Sequence, residues 1–230
     1  MKQGKLYGIG VGPGDPELMT CKAVRLIQEC DVIAVPKGGT GEQTALTIAA
    51  RWIEGKQILH CDMPMTRDQE VLHACHDKAA DDICALLDAG RSVAFLTLGD
   101  PAVYSTYWYV HRRVQARGYD VEIVPGVPSF CAVAARLGQA LCEGSQMLHI
   151  IPASHNATDT GLALPGNKVL MKAGRSILEV RDLLEAQGKG DTAALVERCG
   201  MEGERVVHDL RELDDPTGYF SVILVREEQK

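Results

Sequence analysis

Apolar runs alternate with amphipathic stretches through the first half of the chain. "KLYGIGVG" (5–12) predicts a buried strand, followed by a helix from Pro16 to Glu29 with Leu18, Ala23, Leu26 and Ile27 on one stripe. "DVIAVPK" predicts a second strand, "GEQTALTIAARWIEG" a helix and "KQILHCDMP" a third strand. Residues 67–89 carry Val71, Leu72, Cys75, Ala79, Ile83, Leu86 and Leu87 at helical spacing. "SVAFLTLG", a helix over "AVYSTYWYVHRRVQARG" and the strand "DVEIVPG" complete the series. Strands and helices in regular alternation, with strands apolar throughout, predict a parallel α/β sheet.

The texture changes after Pro125. A helix over "PSFCAVAARLG" precedes the strands "QMLHIIPA" and "KVLMKAG", then a helix over "ILEVRDLLEAQG". "TAALVERCG", "ERVVHDL" and "YFSVILVRE" follow with little helix between them, which predicts a mixed sheet with antiparallel neighbours. Two α/β domains are expected, 1–122 and 123–230. "ASHNATDTGLALPGN" (153–167) reads as a polar, mobile surface connection.

The composition narrows the classes. A net charge of −7 disfavours nonspecific nucleic-acid binding, though a locally basic cleft remains open. No apolar run reaches the ~20 residues of a membrane span. The amino end lacks a secretory pattern, so the cytoplasm is the expected location. None of the eight cysteines forms a C-x-x-C pair, and they read as reduced core residues. "HACH" offers His73, Cys75 and His76, with Cys84 beyond, but a solvated helix face is the better account and no metal is expected.

Chemistry concentrates at three turns. "GIGVGPGDPELMT" has glycines at 8, 10, 12 and 14, yet neither the dinucleotide spacing nor a phosphate-binding loop fits. Asp15 and Pro16 suit a helix start, whereas four glycines cost backbone entropy, which suggests close approach to a ligand. "FLTLGDPAVYST" places Gly99, Asp100 and Pro101 at a strand end, where open α/β sheets bind ligands, with Ser105 and Thr106 offering hydroxyls. "VPGVPSF" is the third turn, readable equally as a hinge.

In this order and spacing, "GIGVGPGDPELMT", "FLTLGDPAVYST", "IVPGVPSF" and "VLMKAG" resemble the tetrapyrrole methylase family of S-adenosylmethionine-dependent methyltransferases, over essentially the whole chain. Within it, "DMPMTRD", "YST" and "YFS" are most similar to the C20-methyltransferases of cobalamin biosynthesis, which act on precorrin-2 or cobalt-factor II. The resemblance implies an active-site trough between two domains and a homodimer. It implies S-adenosylmethionine contacts at Pro13, Gly99, Asp100, Val103, Tyr104, Ser105, Thr106, Val127, Ser129, Met171 and, near the end of "VERCGM", Met201.

A ring of substrate carboxylates calls for cations: Lys37, Arg67, Arg112, Arg113, Lys172 and Arg175. Lys172 is the first choice, against a solvated strand-end lysine. Asp100 is a substrate-facing candidate or an Asx-turn residue, and Tyr219 a substrate-facing or half-buried residue. No general base is assigned. The cysteine-rich composition leans toward the cobalt-containing substrate. The alternatives are another tetrapyrrole acceptor, a non-catalytic binding protein and a nicotinamide oxidoreductase, the last disfavoured by the glycine spacing.

Overall fold

A computed structural model describes residues 3–37, 41–153 and 157–227. The chain divides into two compact units, Met1–Pro128 and Ser129–Lys230. In the first, β1 (Leu6–Gly10), β2 (Val32–Lys37), β3 (Gln57–Asp62), β4 (Val93–Thr97) and β5 (Val121–Val124) form a parallel sheet in the order β3-β2-β4-β1-β5. Because β5 pairs with β1, the expected boundary after residue 122 falls inside a strand, and the unit runs on to Pro128.

Helices α1 (Cys21–Glu29), α2 (Gly41–Ala49), α3 (Gln69–Asp88) and α4 (Tyr107–Ala116) connect these strands. Two apolar clusters fill the unit: Phe95, Ile83, Leu87 and Tyr107 anchor one, Ile9, Ile27, Ile33 and Leu96 the other. Each fully buried side chain of this size contributes roughly 1.5–3 kcal/mol.

Two helix expectations are corrected. The predicted helix from Pro16 splits into a 3-10 turn, Pro16–Leu18, and α1. Asp15 caps the turn through the Glu17 amide, and Thr20, in extended backbone, caps α1 by accepting from the Ala23 amide at 3.2 Å. The helix expected from residue 102 begins only at Tyr107. Its first turn is pre-empted by the Asp100 side chain, which accepts from the Ala102 amide at 2.7 Å, and by Tyr104 at φ 49°.

In the second unit α5 (Ser129–Leu137) leads to β6 (Leu148–Pro152), α6 (Ala157–Ala163), β7 (Asn167–Met171), α7 (Ile177–Ala186), β8 (Ala193–Glu197), β9 (Arg205–Val207) and β10 (Ser221–Val225). The sheet order is β6-β7-β10-β8-β9, with β6 and β7 parallel and the other pairs antiparallel. The mixed sheet is as expected. The mobile connection is not: residues 157–163 are helical, and Thr158, Gly161 and Leu162 turn one buried face inward, with Leu162 in the unit's core. Ser154 to Asn156 of that stretch lie outside the described residues.

Candidate functional site

The three glycine turns meet at the carboxyl ends of β1, β4 and β5, which are sheet neighbours. Gly12 and Gly99 form an isolated antiparallel bridge, the Gly99 amide donating to the Gly12 carbonyl at 2.7 Å. Both glycines are left-handed, at φ 79° and 70°. The third turn is tied in by Asp100: its Oδ2 accepts from the Gly126 amide at 3.0 Å while Oδ1 holds Ala102. The carboxylate therefore fixes two turns at once, extending the Asx-turn reading of Asp100.

The glycines do not owe their identity to a ligand in the way their number suggested. A Cβ on Gly8 would lie 2.0 Å from the Tyr107 ring, and one on Gly10 would lie 2.6 Å from both the Gly99 carbonyl oxygen and the Gly126 amide nitrogen. A Cβ on Gly126 would come within 2.2 Å of the same Gly99 oxygen. Main chain packs on main chain here, and the resulting sheet end presents backbone with few side chains. Tyr107 fills the space beside Gly8 completely buried, with its hydroxyl 3.0 Å from His111 Nδ1. Burial pushes the phenol well above its ordinary pKa.

Around these turns Pro13 is buried, Val103 and Val127 are half-buried, and Tyr104 and Thr106 are exposed. Ser105 Oγ accepts from the Tyr107 amide at 3.1 Å, starting α4, and lies 3.4 Å from the Thr97 hydroxyl. These residues occupy one end of the first unit's sheet. Of the proposed cations, Lys37 pairs with Asp62 at 3.4 Å, and Arg113 with Asp77 at 2.5 Å and with the Tyr109 carbonyl. The side chain of Arg175 lies outside the described residues. The "HACH" residues diverge: His73 sits 3.3 Å from Arg113, and His76 is buried and stacked on Tyr109 at 4.6 Å.

The second unit gathers the remaining candidates at one end of its own sheet. Met171 closes β7 opposite Val222, and Glu197 closes β8 opposite Ser221. Lys172, directly after β7, is half-buried and left-handed at φ 60°. Burial lowers its ammonium pKa from the ordinary 10.5. Tyr219 stands just before β10, exposed at 47% and edge-on to Phe220, with its phenol pKa raised by desolvation. Ser129 begins α5, and Met201 lies in the turn after β8, its amide donating to the Arg198 carbonyl at 2.9 Å.

Several site features gave no sequence signal. Tyr104, Lys172 and Arg198 are the non-glycine residues with left-handed backbone among those described, and each follows a strand end or its turn. Such conformations cost roughly 1–3 kcal/mol and concentrate at functional sites. Glu197 accepts from the Gly218 amide, fixing the approach to Tyr219, and the buried Thr217 hydroxyl has no protein partner among the described residues. Nothing in "VERCGM" marks Arg198 as special, because backbone strain has no letter code.

Comparison with known proteins places these features in context. Residues 5–214 match the sequence model of the family Tetrapyrrole (Corrin/Porphyrin) Methylases. The cobalamin biosynthesis protein CobIJ of Mycobacterium tuberculosis is 36% identical over 97% of this chain, which spans only 46% of that protein's length. The cobalt-precorrin-2 C(20)-methyltransferase of Salmonella typhimurium is 33% identical, covering 98% of this chain and 97% of its own. Among solved structures, uroporphyrin-III C-methyl transferase from Thermus thermophilus complexed with S-adenyl homocysteine shares the fold at TM-score 0.71 and 22% identity, covering 97% of this chain and 98% of that one.

Proposed function

The chain belongs to the tetrapyrrole (corrin/porphyrin) methylase family, and from that premise we propose that it transfers a methyl group from S-adenosylmethionine to C20 of a precorrin-2-type ring, cobalt-factor II or precorrin-2. The observation that carries the reading is the end-to-end likeness to a C20-methyltransferase, at 33% identity over 98% of this chain. The residues fit such a donor. The end of the first sheet is built from glycine main chain packed on main chain, with the Ser105 and Thr106 side chains beside it, and the sequence contains no phosphate-binding loop. A donor without phosphate suits that surface.

When bound, S-adenosylmethionine supplies an electrophilic methyl on a sulfonium. The chain's own task is then to hold and align. Pro13, Gly99, Asp100, Val103, Tyr104, Ser105, Thr106, Val127, Ser129, Met171 and Met201 are assigned to the donor, with Asp100 acting through the two turns its carboxylate ties together. Lys172 and Tyr219 are assigned to the substrate, Lys172 as a cation for a ring carboxylate. Alignment of donor and acceptor carries effective molarities of ~10⁵ M or more, so no strong base is required at an electron-rich ring carbon. A homodimer in the cytoplasm completes the proposal, with sedimentation testing the assembly.

The deciding experiment incubates the protein with S-adenosylmethionine and either substrate under exclusion of oxygen and follows product mass. Gain of one methyl, on C20 by NMR, is expected on the cobalt-containing ring in preference to the metal-free one. No methyl gain on either, or methylation at another ring position, overturns the proposal.

A further inference from the structure

The turn after β8 is braced from outside itself. Between Arg198 and Glu204 the backbone is left-handed at Arg198 (φ 55°), Gly200 (φ 72°) and Gly203 (φ 76°). Internal bonds shape it: the Met201 amide donates to the Arg198 carbonyl at 2.9 Å, the Glu204 amide to the Met201 carbonyl at 3.2 Å, and Arg198 Nε to the Glu202 carbonyl at 2.7 Å. Two further bonds run through one carboxylate. Glu204 Oε2 accepts from the Gly200 amide at 2.9 Å, and Oε1 accepts from Nε of Arg136, on α5, at 2.5 Å.

We infer that Glu204, held by Arg136, is a positioning residue that fixes the 198–203 turn for the methyl donor. This rests on the proposed assignment of Met201 to that donor. An exposed ion pair alone contributes little, since solvent screens it and two long side chains lose freedom. Glu204 differs because its side chain is only 21% exposed and its second oxygen holds a main-chain amide. A carboxylate on an N–H is a strong, charge-assisted bond, and it anchors Gly200 one residue before Met201. A turn already in its binding shape spares the donor the cost of ordering it. The Gly200 amide and the Arg136 guanidinium also hold the Glu204 carboxyl below its ordinary pKa, so the brace persists into weakly acidic solution.

The test measures S-adenosylhomocysteine binding by calorimetry on the full chain. Glu204→Gln loses one of the two acceptors and turns an amide donor toward a donor. We expect about tenfold weaker binding, the size of one hydrogen bond to a charged group. The KM for S-adenosylmethionine should rise in parallel while kcat at saturating donor is retained. Arg136→Gln, which leaves the carboxylate on Gly200, should give a smaller loss in the same direction, with Arg136→Lys recovering part of it. It also keeps the test informative if Glu204→Gln folds poorly. Arg25→Gln, in the Arg25–Glu29 pair of α1, serves as the ion-pair control and should bind normally. Unchanged binding in both the Glu204 and Arg136 variants, or a fall in kcat at unchanged KM, overturns the positioning role alone. Absence of binding by the wild-type chain overturns the donor assignment as well.

Discussion

The two units finish their sheets in different ways. At the end of the first, Gly10, Gly12, Gly99 and Gly126 let main chain pack on main chain, and the Asp100 carboxylate is bonded to two amides. At the end of the second, side chains remain in place on unfavourable backbone, Lys172 at φ 60° and Arg198 at φ 55°. Glycine relieves the strain where only backbone is needed; a strained lysine or arginine keeps a functional group that glycine would delete. The first sheet end is held mainly by packed backbone, with Tyr104 at φ 49° the exception, and the second keeps strained side chains alongside its glycines. Substituting the packed glycines of the first should damage folding, whereas replacing Lys172 at the second should spare folding and weaken the proposed substrate binding.

The largest effect is expected at Gly126. Its φ lies outside the left-handed region, so the obstacle is space: a Cβ would approach the Gly99 oxygen to 2.2 Å and Gly10 main-chain carbons to 2.9 Å. No flexible side chain is available to yield. Gly126→Ala should destabilise the protein by about 3 kcal/mol or more, toward the upper end of overpacking costs, read from the urea midpoint. A wild-type midpoint would show that the turns are not mutually packed. Next comes Asp100→Asn. One carboxylate oxygen becomes an amide donor facing a backbone N–H, at Ala102 or Gly126. A loss of about 1–3 kcal/mol is expected in the same measurement. If stability is unchanged and turnover collapses, Asp100 acts on the substrate directly.

The alternation of strand and helix was legible because it follows from hydrophobic period, and so was the change to a mixed sheet, which follows from strands running on without helix between them. The 153–167 stretch misled because polar letters and glycine outweighed a short buried face at Thr158, Gly161 and Leu162. Gly161 also has a packing reason that no local pattern reveals: its Cβ would sit 2.7 Å from Ile151 Cδ1 on β6. Glycines mark the turns in the sequence, but close approach to a ligand does not account for Gly8 and Gly10, which packing requires. Tyr107 lies far along the chain from Gly8, and such pairings exist only after folding. Glu204 carries no sequence signal for the same reason, since its Arg136 partner comes from α5 and its other partner, the Gly200 amide, from the fold of the turn.

The smallest and most discriminating change is at Lys172. Glycine there relieves the left-handed strain, offset by its own entropy in the unfolded chain and by loss of the half-buried side chain's contacts, so little net change in stability is expected. Lys172→Gly should thus keep a melting temperature near that of the wild type while raising KM for the tetrapyrrole, a split that a merely solvated lysine does not produce. The pH dependence gives a second handle. Burial lowers the Lys172 pKa, so below its folded value the charged form costs stability; that cost lifts as pH rises toward the unfolded value, ordinarily 10.5. Over the same alkaline window the wild-type ammonium is lost and KM should climb, beginning below pH 10.5. Lys172→Arg, which stays protonated, should lack that limb even if its absolute KM is worse. A glycine variant that is less stable and fully active would make both sheet ends alike and would move the search for the substrate's cation elsewhere.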